Sequence, residues 1–273
     1  MKTHTKLPLC ALAIFGLALT NASQAALVGY WDFNEGSGTT AIDSTTNGNN
    51  GTLTAFNNDT PNLPEWAPGK YGTGLKFDNH GTEGGNVTIP DAVSLQISNT
   101  FTIAAWFNET SNSNYGHLFV TGDGGANGRS WLLQTDNGGD AAYFWSGGGN
   151  TEFNHSLGFQ LPNGGAAPEN WHHIAITYDG STMKNYLDGT LIGSQFGVSS
   201  ALDTWGTLRL GGFNVAGSGF GGSLDDMVIF NTDETANIAS IMAGTHTEMM
   251  IPEPTSLALL VLGGLGLLRR RRA

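Results

Sequence analysis

Only one cysteine occurs in the 273 residues. It is Cys10, near the start of an apolar run at the N-terminus. A chain cleaved after Ala25 therefore has no cysteine and no disulfide, and its fold rests on its apolar core. A lipoprotein signal places its cysteine after the apolar run and behind a small residue. Cys10 follows Leu9, which does not fit lipidation. Basic residues are also scarce, with 11 Lys and Arg against 23 Asp and Glu, a formal net charge of −12. That balance argues against nucleic acid and anionic membranes as partners, since both need basic patches. No apolar run reaches the ~20 residues of a full membrane span. The two longest, Leu7–Leu19 and Ser256–Leu268, lie at the chain ends. No Gly-x-Ser-x-Gly, His-Glu-x-x-His or phosphate-binding loop occurs.

Both ends carry processing signals. Lys2 and Lys6 precede Leu7–Leu19, and Ser23-Gln24-Ala25 supplies small residues at a cleavage site. This pattern is a secretory signal peptide over residues 1–25, cut after Ala25. At the other end stand Pro252-Glu253-Pro254, then Ser256–Leu268, then Arg269-Arg270-Arg271-Arg272. As a helix the thirteen-residue run spans about 20 Å, short of the ~30 Å hydrocarbon core. Snorkelling arginines and local thinning of the bilayer narrow the gap. The arginines stay cytoplasmic and leave the body of the protein outside. Six of the eleven basic residues lie in these removable segments. Five remain against 23 acidic residues, a net charge near −18.

Between the ends, 40 glycines and many Asn and Thr separate short apolar runs, which points to strands and turns. The clearest stretch is Trp171–Ser194, WHHIAITYDGSTMKNYLDGTLIGS. Ile174, Ile176 and Tyr178 share one face, and Trp171, His173 and Ala175 the other, the period of a half-buried strand. Asp179-Gly180 and Asp188-Gly189 break the run, and Asp-Gly favours primed turns, so two hairpins sharing a strand are expected. Further strands are expected near Ala26–Glu35, Gly51–Leu53, Gly74–Asp78, Asn86–Ile89, Phe101–Asn108, Leu118–Val120, Ser130–Thr135, Ala141–Ser146, Thr207–Phe213 and Leu224–Asn231. Thr232–Ala243 predicts a short helix that Thr232 or Asp233 caps and Gly244 ends. The rest of Thr39–Pro68 is expected to be loop.

Four ordered motifs carry a resemblance: LVGYWDFNEGSG (Leu27–Gly38), FTIAAWFN (Phe101–Asn108), the Trp171–Ser194 hairpins, and GSLDDMVIFN (Gly222–Asn231). Together they resemble laminin-G-like jelly rolls of the concanavalin A-like lectin/glucanase superfamily. The resemblance implies an all-β, two-sheet antiparallel jelly-roll sandwich over residues 26–244. The C-terminus resembles the PEP-CTERM sorting signal over residues 251–273, with a membrane segment at 256–268 and a linker at 245–250. That signal implies an exosortase and the export machinery as partners, cleavage near Pro252-Glu253-Pro254, and transient anchoring in the inner membrane of a Gram-negative bacterium. Release to the cell surface or extracellular matrix follows.

Catalytic members of the superfamily carry Glu-x-Asp-x-x-Glu or a close variant on one strand, and no such motif occurs here. Glu109, Glu152 and Glu169 sit in separate stretches, and Asp225-Asp226 are adjacent, so strict alternation points them to opposite faces. His172-His173 fail as a joint metal site for the same reason. The Asp136–Asp140 loop lacks EF-hand spacing. Asp225 shares a face with Met227 and Ile229, so its carboxylate needs donors or a cation. Similar folds bind structural Ca²⁺ with a closing-strand Asp and backbone near the first strand. Carried over, Asp225 and the backbone at Asp32–Asn34 would hold calcium; the alternative is an Asp that caps loop amides. Tyr143 and Trp145 share a strand face with Trp131 on the next strand. They form either a sugar platform or part of the core. The expectation is a non-catalytic surface or matrix protein that binds extracellular polysaccharide. A glycosidase with a divergent site and a protein–protein adhesion module are the alternatives.

Overall fold

The computed structural model describes residues 27–56, 62–78, 84–97, 99–110, 116–122, 131–135, 141–146, 153–160, 171–196, 206–213 and 219–245. The expected signal peptide, with its cleavage site at Ala25, and the sorting signal, with Pro252, Glu253, Pro254 and Arg269 to Arg272, lie outside these residues. Among the described residues no helix is long and apolar enough to cross a membrane.

Two antiparallel sheets stack on each other. The first runs in the order β14 (Thr190–Phe196), β13 (Thr182–Leu187), β12 (His172–Tyr178), β7 (Phe101–Glu109), β16 (Gly221–Phe230), β5 (Thr73–Asp78), β4 (Glu65–Pro68). Its eighth strand, β1 (Leu27–Trp31), pairs with the second half of β16. The second sheet runs β11 (Phe153–Gln160), β10 (Ala141–Ser146), β9 (Trp131–Thr135), β8 (His117–Thr121), β15 (Leu208–Leu210), β6 (Gly85–Ile89), β3 (Gly51–Ala55), β2 (Thr40–Ala41).

Alternation sorts the side chains. Ile174, Ile176 and Tyr178 join Trp31, Phe77, Phe101, Ile103, Phe119 and Leu133 in the core between the sheets. Ala175 faces the other way, with Ala104, Val228 and Phe230. That outer face is covered by the helix α1 (Ile238–Met242), which buries Ile238 and Ile241 against it. A single turn of 3-10 helix at Thr235–Asn237 leads into α1. The Asp233 carboxylate accepts the Thr235 N–H there at 3.0 Å, and Gly244 leaves the helix at φ +73°.

The double hairpin forms as expected, but its two turns differ. Asp188 and Gly189 both take positive φ, the primed turn that Asp-Gly favours. At the first turn only Gly180 does. There the loop is longer, with Asp179 N–H donating to the Thr182 carbonyl at 3.2 Å. The Asp179 carboxylate takes the N–H groups of Ser181 and Thr182, and the Thr182 bond leads in holding its pKa below the usual range. Strands β2, β4 and β11 had no counterpart in the sequence reading. Gly74–Asp78 and Asn86–Ile89 are strands, yet they lie in different sheets.

Candidate functional site

Two places concentrate polar chemistry. The first is a junction in β16. Its first half pairs with β5 and its second half with β1, while β7 runs along the other side. The register shifts between Asp225 and Val228, and Asp226 adopts φ +47°. A bulge adds one residue and breaks alternation. The strict alternation expected to point Asp225 and Asp226 to opposite faces does not hold at this bulge. Both are buried, at 0% and 8% exposure, and burial, with the Asp226 carboxylate adding, raises the pKa of Asp225.

Each carboxylate ties down one partner of β16. Asp225 Oδ2 accepts the Tyr71 N–H at 2.8 Å, in the turn between β4 and β5, and Oδ1 accepts the Asp226 N–H at 2.9 Å. Asp226 Oδ1 accepts the Tyr30 hydroxyl at 2.8 Å, from β1. The β4–β5 turn is gripped from its other side by Asn34, whose Oδ1 accepts the Thr73 N–H at 3.0 Å. Burial, with the Asp226 carboxylate next, pushes the Tyr30 hydroxyl pKa upward, so it stays protonated and donating. Above the pair, Tyr71 stands edge-on to Trp106 at 6.1 Å, and the Lys70 ammonium lies 4.2 Å over the same ring.

These contacts give Asp225 the role of capping turn amides. Calcium takes six to eight oxygens, but both Asp225 oxygens and one of Asp226 already accept N–H or O–H donors. Asp32 spends its Oδ1 on the Asn34 N–H at 3.1 Å. No group of three or more His, Cys, Asp or Glu among the described residues is arranged to hold a metal. His172 and His173 separate as expected: His172 Nδ1 lies 2.8 Å from Asp188 Oδ2, and His173 packs against Trp106 at 5.2 Å.

The second place is the outer face of the second sheet. Leu208 and Leu210 point into the core, so Arg209 between them lies on the outer face. Arg209 Nη1 donates to the Gly122 carbonyl at 2.6 Å, and its guanidinium lies 5.4 Å from the Phe213 ring. His117 packs on the same ring at 6.4 Å. Across the register Arg209 sits between Thr88 and Val120, and Thr88 sits opposite Thr52. On the far side Val120 pairs with Leu132, and Leu132 with Trp145. Tyr143 pairs with Gln134 and Ser156. Trp131 pairs instead with Thr121 and Ser146, one step out of phase. In this register the positions of Tyr143 and Trp145 are in phase with Arg209, and the position of Trp131 is in phase with Leu133. None of the eight strands of this sheet contains an Asp or Glu.

Sequence reasoning passed over Arg209 and His117. The signal was there for Arg209, one of only five Lys and Arg residues between residues 26 and 250, set alone between two core leucines. Glu109, weighed as a loop acid, is the last residue of β7 and is buried at 1% exposure. Glu152 and Glu169 lie outside the described residues.

The C-terminal residues 251–272 match the model of the PEP-CTERM protein-sorting motif. No curated protein matches the chain. Among solved structures the chain resembles domain 4 of AbnA, a GH43 extracellular arabinanase from Geobacillus stearothermophilus solved in complex with arabinotriose. The TM-score is 0.61 at 21% identity, covering 80% of this chain and 99% of that one. It also resembles the binding domain of botulinum neurotoxin DC, solved in complex with rat synaptotagmin II. There the TM-score is 0.60 at 17% identity, covering 81% of this chain and 51% of that one. A third likeness is the binding domain of Paraclostridial Mosquitocidal Protein 1, with TM-score 0.59, 13% identity, and coverage of 79% and 51%. At these identities the likeness shows the fold. A model of the concanavalin A-like lectin/glucanases superfamily matches residues 80–237, more than half of the chain, and the chain belongs to that superfamily.

Proposed function

We propose that this protein is exported, sorted and released at the surface of a Gram-negative bacterium, and that there it binds neutral extracellular polysaccharide without cleaving it. The observation that carries the reading is the outer face of the second sheet. Its strands carry hydroxyl, amide and aromatic positions around the buried Arg209 and His117, and they hold no carboxylate. Glycoside hydrolysis calls for two carboxyl groups flanking the scissile bond. Sugar binding calls for aromatic faces and groups that both donate and accept hydrogen bonds. The arabinotriose bound by domain 4 of the arabinanase supports a saccharide ligand for this fold. The toxin binding domain, about half of which this chain matches, was solved with rat synaptotagmin II, and that supports the adhesion module as the second reading.

A panel of neutral and acidic polysaccharides, assayed for both binding and release of reducing ends, tests the reading. Retention of a neutral polymer without new reducing ends, weakened by Trp145→Ala, is the expected result. Release of reducing sugar would make the protein a glycosidase. Retention of no polymer, together with capture of a surface protein, would make it an adhesion module.

A further inference from the structure

A cleft of about 600 Å³ opens at one end of the sandwich, away from both places described above. It lies where β1 begins, where the 44–49 loop folds back, where β6 crosses to β7, and where β16 ends. We propose that this cleft is a separate binding site for a short, neutral saccharide segment. The proposal goes beyond the sheet-face reading but shares its ligand class.

The lining argues for that chemistry. Among the described residues it contains no Asp, Glu, Lys or Arg. Thr46, Asn47, Ser94, Gln96, Asn99 and Asn231 supply hydroxyl and amide groups. Hydroxyls and carboxamides both donate and accept, which matches the vicinal hydroxyls of a sugar. An anionic ligand would find no cationic side chain in the described walls and would face a strongly acidic protein. A cationic ligand would find no carboxylate. The largely buried Leu27, Val28 and Ile97 line the cleft as well, and Val93, at 87% exposure, provides apolar surface for the C–H face of a sugar ring. The volume falls within the roughly 300–1,000 Å³ of small-molecule sites.

The walls are fixed before any ligand arrives. Thr100 Oγ1 donates to the Asn231 carbonyl at 2.9 Å and locks the end of β16 to the start of β7. Ser94 Oγ donates to Asn49 Oδ1 at 3.0 Å, and Asn49 Nδ2 donates to the Val28 carbonyl at 2.9 Å. Asn47 Nδ2 donates to the same carbonyl at 3.0 Å. The Asn99 and Asn231 side chains are exposed and have no hydrogen-bond partner among the described residues. Preorganised walls lower the ordering cost of binding.

The test is a titration of the exported, ¹⁵N-labelled protein with arabinotriose, cellotriose, laminaritriose and maltotriose, read on the side-chain amide signals. At least one trisaccharide is expected to shift the Asn47, Asn99 and Asn231 amides saturably. Asn99→Ala and Asn231→Ala should each weaken that binding about tenfold, equivalent to one lost hydrogen bond of about 1.4 kcal/mol. Their melting temperatures should stay at the wild-type value, because neither side chain supports the fold. Trp145→Ala should leave the cleft shifts intact while weakening polymer retention. Polymer retention with no cleft shift from any trisaccharide would overturn the cleft and spare the sheet face. Cleft shifts that survive both asparagine variants would also overturn it. Loss of both responses would overturn both readings.

Discussion

Asp225 is fully buried, and the free energy of its carboxylate depends on its proton. Burial pushes it up to about 7 against the pull of the Tyr71 N–H, with Asp226 adding to the rise. An unfolded aspartate releases its proton near pH 4. Between about pH 4 and pH 7 the folded state holds a proton that the unfolded state has lost, so stability falls as pH rises across that window. Asp225→Asn keeps the shape and an acceptor for Tyr71 but cannot titrate. Urea denaturation at a series of pH values should show the wild type losing stability relative to Asp225→Asn from pH 4 to 7, and a constant difference above. A difference constant throughout would mean the carboxylate is already ionised at pH 4. Asp225→Ala should cost about 1–3 kcal/mol, because it strands a buried N–H donor. Added calcium, or a chelator, should leave the melting temperature of the wild type unchanged. A concentration-dependent rise would reveal an ion bound to the folded form only.

At the scale of elements, the β4–β5 turn and the β16 bulge fit each other closely. A Cβ on Gly69 would come 2.6 Å from Asp225 Oδ2 and 2.7 Å from the Thr73 backbone. Neither neighbour can swing away, since one is a buried, hydrogen-bonded carboxylate and the other is main chain. Gly69→Ala is expected to destabilise by roughly 1–3 kcal/mol through overpacking. Gly38→Ala is the control: its φ is +85°, but an added Cβ meets nothing within 4 Å. It should cost only the backbone strain, about 1–2 kcal/mol, and that strain should not depend on residue 225. In an Asp225→Ala background Gly69→Ala should therefore lose the part of its effect that comes from the carboxylate and keep the part from the Thr73 main chain, and Gly38→Ala should lose none. Equal effects in both backgrounds would show that the carboxylate does not confine the turn. Such fits explain what the sequence did and did not disclose. The Trp171–Ser194 hairpins were legible because period two and Asp-Gly act within one short stretch. β4, Glu65–Pro68, was not, since its four residues include a proline and little alternation. The pairing of Asp225 with Asp226 was hidden as well. A bulge arises where a strand changes neighbours, and the identity of those neighbours is a long-range fact. Arg209 was visible as an isolated charge between leucines. Its place on a carboxylate-free sheet depended on the order of eight strands.

At the scale of the whole molecule, sorting and charge are one question. The precursor holds four arginines beyond its last apolar run, and the PEP-CTERM motif spans residues 251–272. On the proposed reading the arginines would keep that end cytoplasmic and the sandwich outside while they remain. Cleavage near Pro252-Glu253-Pro254 would remove the apolar run and the arginines together. With residues 1–25 also removed, the released protein would approach −18. A surface of one sign repels its own copies and anionic membranes, so the released form should not return to the bilayer it left. Deleting Ser256–Ala273 should abolish the membrane-bound precursor. Intact-mass measurement of exported protein should show a C-terminus near residues 252–255, and sedimentation with anionic vesicles should leave that form in the supernatant. Surface material that still carries Arg269 to Arg272 would overturn release by cleavage, and the protein would then be a lasting membrane resident.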